Sequence, residues 1–206
     1  MSFALGAALD SAGLRRPSLR ETIGWIGDGV EALVRSGLTA AIGGPPDPEL
    51  LRATLAVFDR HYRDHLFVSS RLYAGVSATL DELLDAGTIL GVITNKREVY
   101  ARRLLDQAGI ATALSFVYGS DSCDAGKPSP APLLRAAAAA RLEPGACVMI
   151  GDSANDRLAA GAAGFEFVYA AYGYGRADDP NLTAGFGVIR TFPALTRLLC
   201  PRRGAK

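Results

Sequence analysis

The amino-acid sequence predicts an α/β protein, with a parallel sheet that helices cover on both faces and a small helical unit before it. The chain has 206 residues, of which 49% are hydrophobic and 21% charged, a globular composition. After residue 73, short runs that are apolar throughout alternate with helical segments, which is typical of a parallel sheet. Residues 1–72 contain no strand pattern. We therefore expect a helical domain, 1–72, and an α/β core domain, 73–206.

In the first domain, glycine, proline and the spacing of apolar residues mark the helices. Gly13 ends a short apolar helix, and the Gly-Gly-Pro-Pro-Asp-Pro segment at residues 43–48 separates the last helix from the others. After the helix that ends near Gly13, the predicted helices are 17–24, 30–38 and 49–66.

In the second domain, strand and helix patterns alternate. The predicted strands are 88–93, 115–118, 147–150, 165–170 and 187–190. The predicted helices are 77–86, 98–108, 130–141 and 153–163. Ligands of parallel sheets bind beyond the carboxyl ends of the strands, so the residues that follow each strand are the first candidates for a site.

Charge and composition exclude several classes of protein. The net charge of +1 gives no electrostatic reason to expect binding to nucleic acid or to an anionic membrane. No apolar run reaches the ~18–20 residues that cross a bilayer, and no basic segment precedes the short apolar stretch at the start, so we expect a cytoplasmic protein. The three cysteines form no Cys-x-x-Cys pair. His61 and His65 are expected on a solvated helix face, because no third metal ligand lies near them in sequence.

Thr94 and Asn95 follow the first predicted strand of the core and precede a helix. A hydroxyl, an amide and the free backbone N–H groups of a helix start can together hold a phosphate. The alternative is that the pair only caps the helix.

Lys127 lies between Gly126 and Pro128, ahead of another predicted helix, and is one of only three lysines. A lysine provides a compact, mobile positive charge that suits a phosphoryl group, and the neighbouring glycine and proline fix the loop that carries it. The alternative is a solvated surface lysine.

Asp152 and Asp156 lie on either side of a strand end and the first turn of a helix. The helix dipole favours their ionised forms, and hard carboxylate oxygens suit Mg²⁺, which takes one or two carboxylates together with water and substrate phosphate. The alternative is that Asp152 or Ser153 caps the helix while Asp156 lies beside its dipole.

These three groups, in this order, resemble the second, third and fourth motifs of the haloacid dehalogenase superfamily, in phosphatases of the phosphoglycolate phosphatase type. The matching segments are Ile-Thr-Asn-Lys at 93–96, Gly-Lys-Pro at 126–128 and Gly-Asp-Ser-Ala-Asn-Asp at 151–156. The Tyr-Gly-Tyr-Gly segment at 172–175 resembles the loop after the next strand. The resemblance implies a Rossmann-like core with a small helical cap domain, whose loop at 27–29, around Asp28, faces the site.

The resemblance also implies a role for each candidate residue. Thr94 would hydrogen-bond a phosphoryl oxygen, and Asn95 would help to shape that pocket. Lys127 would neutralise charge on the phosphoryl group. Asp152 would ligate Mg²⁺, and Asp156 would act on the metal through water or on Lys127. The implied reaction is Mg²⁺-dependent hydrolysis of a small phosphate monoester, with 2-phosphoglycolate as the best guess, through an aspartyl-phosphate intermediate.

The sequence departs from this family in its first motif, an apolar strand followed by Asp-x-Asp-Gly-Thr. No such segment occurs, so the nucleophilic aspartate is absent and we expect the chain as given to be inactive or nearly so. The strand that carries the motif belongs in the middle of the sheet, so we also expect the first core strand to be missing. A start codon placed too far downstream is the interpretation that the sequence favours.

Two other functions stay open. The first is a non-catalytic protein that binds a phosphate or a metabolite, and the second is a sugar-phosphate phosphatase or mutase of the same superfamily. The paired aspartates argue against a dehalogenase that needs no metal. We expect a small-molecule partner, no nucleic-acid or membrane partner, and a monomer or homodimer.

Overall fold

The computed structural model describes residues 1–27, 29–67, 70–175 and 187–199. The chain divides into two compact units, Met1–Ser70 and Arg71–Lys206, a division close to the boundary expected after residue 72. Asp28, in the loop that the resemblance places near the site, lies outside the described residues. None of the helices in the described ranges is long and apolar enough to cross a membrane.

The described part of the first unit is helical, as its sequence predicts. Its helices are α1 (Ser2–Ser11), α2 (Leu19–Gly24), α3 (Val30–Ile42) and α4 (Pro48–Asp64). Helix α1 packs against α3 and α4. The side chains at the centre of this packing are fully buried: Leu5, Leu9, Leu33, Leu38 and Phe58.

Two helices of this unit begin where polar side chains satisfy the free N–H groups of the first turn. Asp47 accepts hydrogen bonds from the backbone N–H groups of Glu49 and Leu50, both at 2.9 Å, so that α4 begins at Pro48. Ser18 and Glu21 form a reciprocal capping box at the start of α2. These caps explain why α2 begins at Leu19 and α4 at Pro48.

The second unit is an α/β structure. Its helices are α5 (Val76–Asp85), α6 (Glu98–Gln107), α7 (Ala131–Ala140), α8 (Ala154–Ala163) and α9 (Ala194–Leu199). Its strands are β1 (Gly91–Ile93), β2 (Phe116–Tyr118), β3 (Val148–Gly151), β4 (Glu166–Ala170) and β5 (Gly187–Ile189). The alternation predicted from the sequence is confirmed, whereas α9 and the 3₁₀ turns at Ala111–Ala113 and Pro144–Ala146 were not predicted.

The strands are parallel, but they form two separate sheets. Strand β1 pairs with β2, and β3, β4 and β5 form a second sheet in that order. Within the described residues no strand pairs with the remaining edge of β1 or of β3. Strand β1, at Gly91–Ile93, is shorter than the predicted strand 88–93.

Burial differs sharply between the paired and the open strands. Phe167, Val168, Tyr169 and Ala170 of β4 are at most 6% exposed, because β4 has a neighbour on each side. All four residues of β3 are half-buried, and β1 has no fully buried residue. The core of this unit therefore centres on β4 and the helices that cover it.

Candidate active site

The residues predicted to form the site meet at the carboxyl ends of β1 and β3. Lys127 Nζ donates to the carbonyl oxygen of Ile93, the last residue of β1, at 2.8 Å. The same group forms an ion pair with Asp156 Oδ1, in the first turn of α8, at 2.5 Å. Both side chains of the pair are only 8% exposed. Lys127 is therefore a buried lysine whose ammonium group is held by two acceptors, and the alternative of a solvated surface lysine is wrong.

Asn95 fixes the loop that carries this lysine. Its Nδ2 donates to the backbone oxygen of Lys127 at 2.8 Å, and the Lys127–Pro128 peptide bond is cis. At Gly126 a Cβ atom would lie 2.8 Å from Asn95 Oδ1, which is tighter than real Cβ contacts. Asn95 thus holds the loop that carries Lys127 against the end of β1.

The carboxylate of Asp156 is engaged through both oxygens. While Oδ1 pairs with Lys127, Oδ2 accepts from the backbone N–H groups of Asp152 and Ser153, both at 3.1 Å, and from Ser153 Oγ at 2.7 Å. Ser153 Oγ accepts in return from the Asp156 N–H, which completes a capping box on α8. Of the two candidate caps, Asp152 and Ser153, it is therefore Ser153 that caps α8. Asp156 contacts both Ser153 and Lys127, and so links the start of α8 to the lysine.

Asp152 is positioned by the loop at residues 172–175. Its Oδ2 accepts from the backbone N–H of Tyr174 at 2.6 Å. A Cβ atom at Gly173 would overlap the Asp152 carboxylate, and one at Gly175 would overlap its backbone oxygen. The two glycines are needed because this loop lies directly against Asp152.

Thr94 and Lys96 lie just beyond β1. Thr94 N–H donates to the backbone oxygen of Tyr118 at 2.9 Å, which extends the pairing of β1 with β2, and Thr94 Oγ1 accepts from the Lys96 N–H at 3.2 Å. The hydroxyl therefore makes a local turn with the backbone. Burial lowers the pKa of Lys96 to about 8.

Two tyrosines beside Asp152 were not identified from the sequence as site residues. The rings of Tyr73 and Tyr172 meet edge to face with their centroids 4.9 Å apart. Burial raises the pKa of Tyr73, and the negative charges of Tyr174 and Asp152 add to this rise. Burial also raises the pKa of Tyr172, and the negative charges of Tyr73 and Asp152 add to this rise. Tyr172 belongs to the Tyr-Gly-Tyr-Gly segment, but no sequence signal singles out Tyr73.

Comparison with known proteins identifies the family. The model of the haloacid dehalogenase-like hydrolases matches residues 15–164. The chain belongs to this family. It is 38% identical to a phosphoglycolate phosphatase of Neisseria meningitidis, over 98% of this chain and 88% of that protein. A phosphoglycolate phosphatase of Nitrosospira multiformis is also 38% identical, over 77% of this chain and 70% of its own length.

Solved structures of the haloacid dehalogenase-like family share the fold. One is the crystal structure of a protein described as a predicted phosphoglycolate phosphatase from Haemophilus somnus, with a TM-score of 0.90 and 27% identity. The match covers 96% of this chain and 89% of that one. The family resemblance stated from the three motifs and the predicted fold are thereby confirmed.

The two aspartates of the site differ in whether their carboxylate oxygens are available to a metal ion. Within the described ranges no three His, Cys, Asp or Glu side chains are grouped closely enough to hold a metal ion. Asp156 already uses both carboxylate oxygens inside the protein, whereas Asp152 accepts one backbone hydrogen bond through Oδ2. A single carboxylate with water and a substrate phosphate is a coordination that Mg²⁺ adopts, so Asp152 fits the metal and Asp156 fits a positioning role.

Proposed function

We propose that the site belongs to a Mg²⁺-dependent phosphatase of small phosphate monoesters, with 2-phosphoglycolate as the first candidate substrate. The observation that carries this proposal is the buried Lys127, held between the end of β1 and Asp156. An ammonium group has three donors, and these two contacts use two of them. The third is available to a phosphoryl oxygen. The two relatives reported above are phosphoglycolate phosphatases, which supports the choice of substrate.

In this proposal Lys127 neutralises charge on the phosphoryl group, and Asp156 and Asn95 hold Lys127 in place. Thr94 Oγ1 accepts from the Lys96 N–H, so its O–H is the donor that would hydrogen-bond a phosphoryl oxygen. Asp152 would hold Mg²⁺, and the bound cation would supply further positive charge against the phosphate. The proposed partner is a small molecule, and the proposed assembly is a monomer or homodimer in the cytoplasm.

The chemical step needs a nucleophile that these residues do not provide. Phosphoryl transfer to an aspartate requires a free carboxylate in line with the phosphorus atom, and the sequence contains no Asp-x-Asp-Gly-Thr segment. We therefore propose that the 206-residue chain binds phosphate and turns over phosphate monoesters only at the background rate. The Lys127 site binds and orients the substrate.

Binding and turnover are measured separately to test this proposal. Isothermal titration with inorganic phosphate in the presence of Mg²⁺ measures binding to the wild-type chain and to Lys127→Met. Arg103→Met, on an exposed position of α6, is the matched control because it also removes one positive charge. We expect about tenfold to hundredfold weaker binding for Lys127→Met, the range of a charge-assisted hydrogen bond, and no change for Arg103→Met.

Release of phosphate from 2-phosphoglycolate is then followed with Mg²⁺ and with a chelator. Equal binding by the wild type and Lys127→Met would refute the assignment of the phosphate site. Turnover well above background that is lost in Asp152→Ala would refute the proposal that the nucleophile is absent.

A non-catalytic phosphate-binding protein is the second candidate, because no first motif is present in the sequence. The codons immediately 5′ of Met1 separate the two functions. In-frame codons for an apolar strand followed by Asp-x-Asp-Gly-Thr support the phosphatase, and a stop codon close upstream supports the binding protein.

A further inference from the structure

The end of α4 carries both histidines of the chain, four residues apart. His61 lies in the last turn of α4, and His65 is the residue that follows the helix. Residues at this spacing lie on one face of a helix, one turn apart. Their ring centroids are 6.3 Å apart, and the ring planes differ by 23°. The two imidazoles therefore lie side by side in the first unit, to which none of the residues that meet at the ends of β1 and β3 belongs.

A hydrogen bond fixes which nitrogen of His65 is available to a ligand. Its Nδ1 lies 3.0 Å from the backbone oxygen of His61. A carbonyl oxygen only accepts, so Nδ1 carries the hydrogen and donates, and in the neutral ring Nε2 keeps a free lone pair. Histidines that bind metals almost always make such a bond to a carbonyl or a carboxylate, because it orients the ring and makes the other nitrogen more basic. His65 therefore already makes the supporting contact of a metal ligand.

Phe3 packs against both imidazole rings. Its ring centroid is 4.9 Å from that of His65 and 6.3 Å from that of His61. Helix α1, which carries Phe3, packs against α4. These contacts restrict the rotation of both rings, so less side-chain entropy is lost when a ligand fixes them. His65 is exposed, as the sequence predicts, and His61 is half-buried, so the pair can be reached from solvent.

The spacing of the two rings is close to that of a chelating pair. A cation with two imidazole nitrogens at ~2.0–2.1 Å, at a tetrahedral or a right angle, holds the ring centroids about 5 Å apart. From the observed 6.3 Å the rings must therefore approach each other by about 1 Å. Two histidines at this spacing on one helix hold zinc in proteins with the His-Glu-x-x-His motif, so rotation of the side chains is sufficient.

The donor set suits a transition-metal ion and not Mg²⁺. In the part of the chain that the structure describes, no third His, Cys, Asp or Glu side chain joins the pair. The carboxylate of Asp59, on the same helix, is paired with Arg63 at 2.8 Å. Imidazole nitrogens suit copper, nickel and zinc, whereas Mg²⁺ and Ca²⁺ take oxygen ligands. Two nitrogens with water in the other positions form a mixed coordination that Cu²⁺ and Ni²⁺ adopt.

We propose that His61 and His65 form a binding site for one divalent transition-metal ion. The ion binds through one ring nitrogen of each histidine, which is Nε2 in His65, and water fills its remaining positions. By the general order of stability of such complexes, Cu²⁺ binds most tightly, and Ni²⁺ and Zn²⁺ bind more weakly. The ion joins the last turn of α4 to the residue after it, so its binding stabilises this end of the helix. The proposal does not depend on phosphate binding or turnover by the second unit.

Isothermal titration of the 206-residue chain with NiCl₂ tests the site. Millimolar Mg²⁺ is present to occupy oxygen sites, and the cysteine thiols are first alkylated because thiolates also bind transition metals. The titration is repeated with His61→Ala and with His65→Ala. The matched control is the double variant Arg63→His, His65→Ala, which keeps two histidines but places them two residues apart, on different faces of α4. Far-UV circular dichroism checks that every variant keeps the helical content of the wild type.

We expect the wild type to bind one Ni²⁺ per chain. Each alanine variant binds at least about tenfold more weakly, because one imidazole alone does not chelate the ion. The double variant binds as weakly as the alanine variants, although the loss of the Arg63 charge by itself favours a cation. Electron paramagnetic resonance with Cu²⁺ shows coupling to two imidazole nitrogens in the wild type and to one in each alanine variant.

Three results would overturn this proposal. Equal affinity of the wild type and the double variant would show that the histidines bind nickel independently of their spacing. Undiminished binding in both alanine variants would show that other groups hold the ion. One Ni²⁺ for every two chains, together with a dimer mass in light scattering, would show that the site is shared with a second copy and is incomplete in one chain.

Discussion

Two glycines, Gly173 and Gly175, lie directly against Asp152 in the candidate site, and Gly175 is the position at which this contact can be tested. In Gly175→Ala the new Cβ would overlap the backbone oxygen of Asp152. We expect a free energy of unfolding that is lower by about 1–3 kcal/mol, because the loop must move to relieve the overlap. Chemical denaturation monitored by circular dichroism measures this change.

Gly161→Ala is the matched control for that substitution. Gly161 lies in α8, and a Cβ there meets no atom within 4 Å. We expect this variant to be more stable than the wild type by about 0.5–1 kcal/mol, since alanine loses less backbone entropy in a helix. A free energy of unfolding that is unchanged or raised in Gly175→Ala would contradict the contact assigned to Gly175.

Lys96 gives the molecule a predicted dependence of stability on pH. Burial lowers its pKa in the folded chain to about 8, whereas a lysine in an unfolded chain titrates near 10.4. Between these two pH values the unfolded chain binds more protons than the folded chain, so the free energy of unfolding rises with pH across this window. We expect a rise of about 3 kcal/mol from this residue.

Lys96→Met removes this contribution. The variant is expected to be more stable than the wild type at pH 7, and the difference between the two shrinks as the pH is raised toward 10.4. Arg103→Met controls for the loss of a positive charge that does not titrate in this window. A difference between wild type and Lys96→Met that stays constant from pH 7 to pH 10 would contradict the prediction.

At the level of elements, the start of α4 depends on one side chain. In Asp47→Ala the N–H groups of Glu49 and Leu50 lose their acceptor, and we expect the free energy of unfolding to fall by about 1 kcal/mol. Asp47→Asn keeps an acceptor of the same shape and should change stability little. The comparison of the two by thermal denaturation checks the assignment, and an equal loss in both variants would contradict it.

The helices and strands were accessible to sequence reasoning because their signals are local. Apolar spacing predicted α4 over 49–66, and the structure has it at Pro48–Asp64, where Asp47 sets its start. Strand β4 was predicted at 165–170 and observed at Glu166–Ala170. Helix α9 was missed because it has only six residues and too few apolar positions to show a period.

The site was predictable in its residues but not in its contacts. The motifs identified Lys127, Asp152 and Asp156, and a capping box at residues 153–156 has a local signature. The hydrogen bond from the Tyr174 N–H to Asp152 joins positions 22 apart, and that from Asn95 to the backbone of Lys127 joins positions 32 apart. Neither leaves a periodic signal, so only the folded chain reveals what positions each group.

At the scale of the whole molecule, the division of the core into two sheets predicts an uneven distribution of local stability. Strand β4 is paired on both sides and is almost fully buried, whereas β1 and β3 each have one partner and incompletely buried residues. Amide exchange in a native protein reports the free energy of local opening, which rises with burial and with the number of hydrogen-bonded neighbours.

We therefore expect the amides of β4 to exchange most slowly in the second unit and those of β1 to exchange at least about tenfold faster, with β3 between them. Hydrogen exchange of the chain alone, measured by mass spectrometry on peptides that cover each strand, checks this order. A gradient of this kind means that the open edges weaken β1 and β3 in solution, because an edge strand loses its one ladder more easily than a central strand loses two. Equal protection in all three strands would show that both edges are covered and would contradict the two-sheet arrangement.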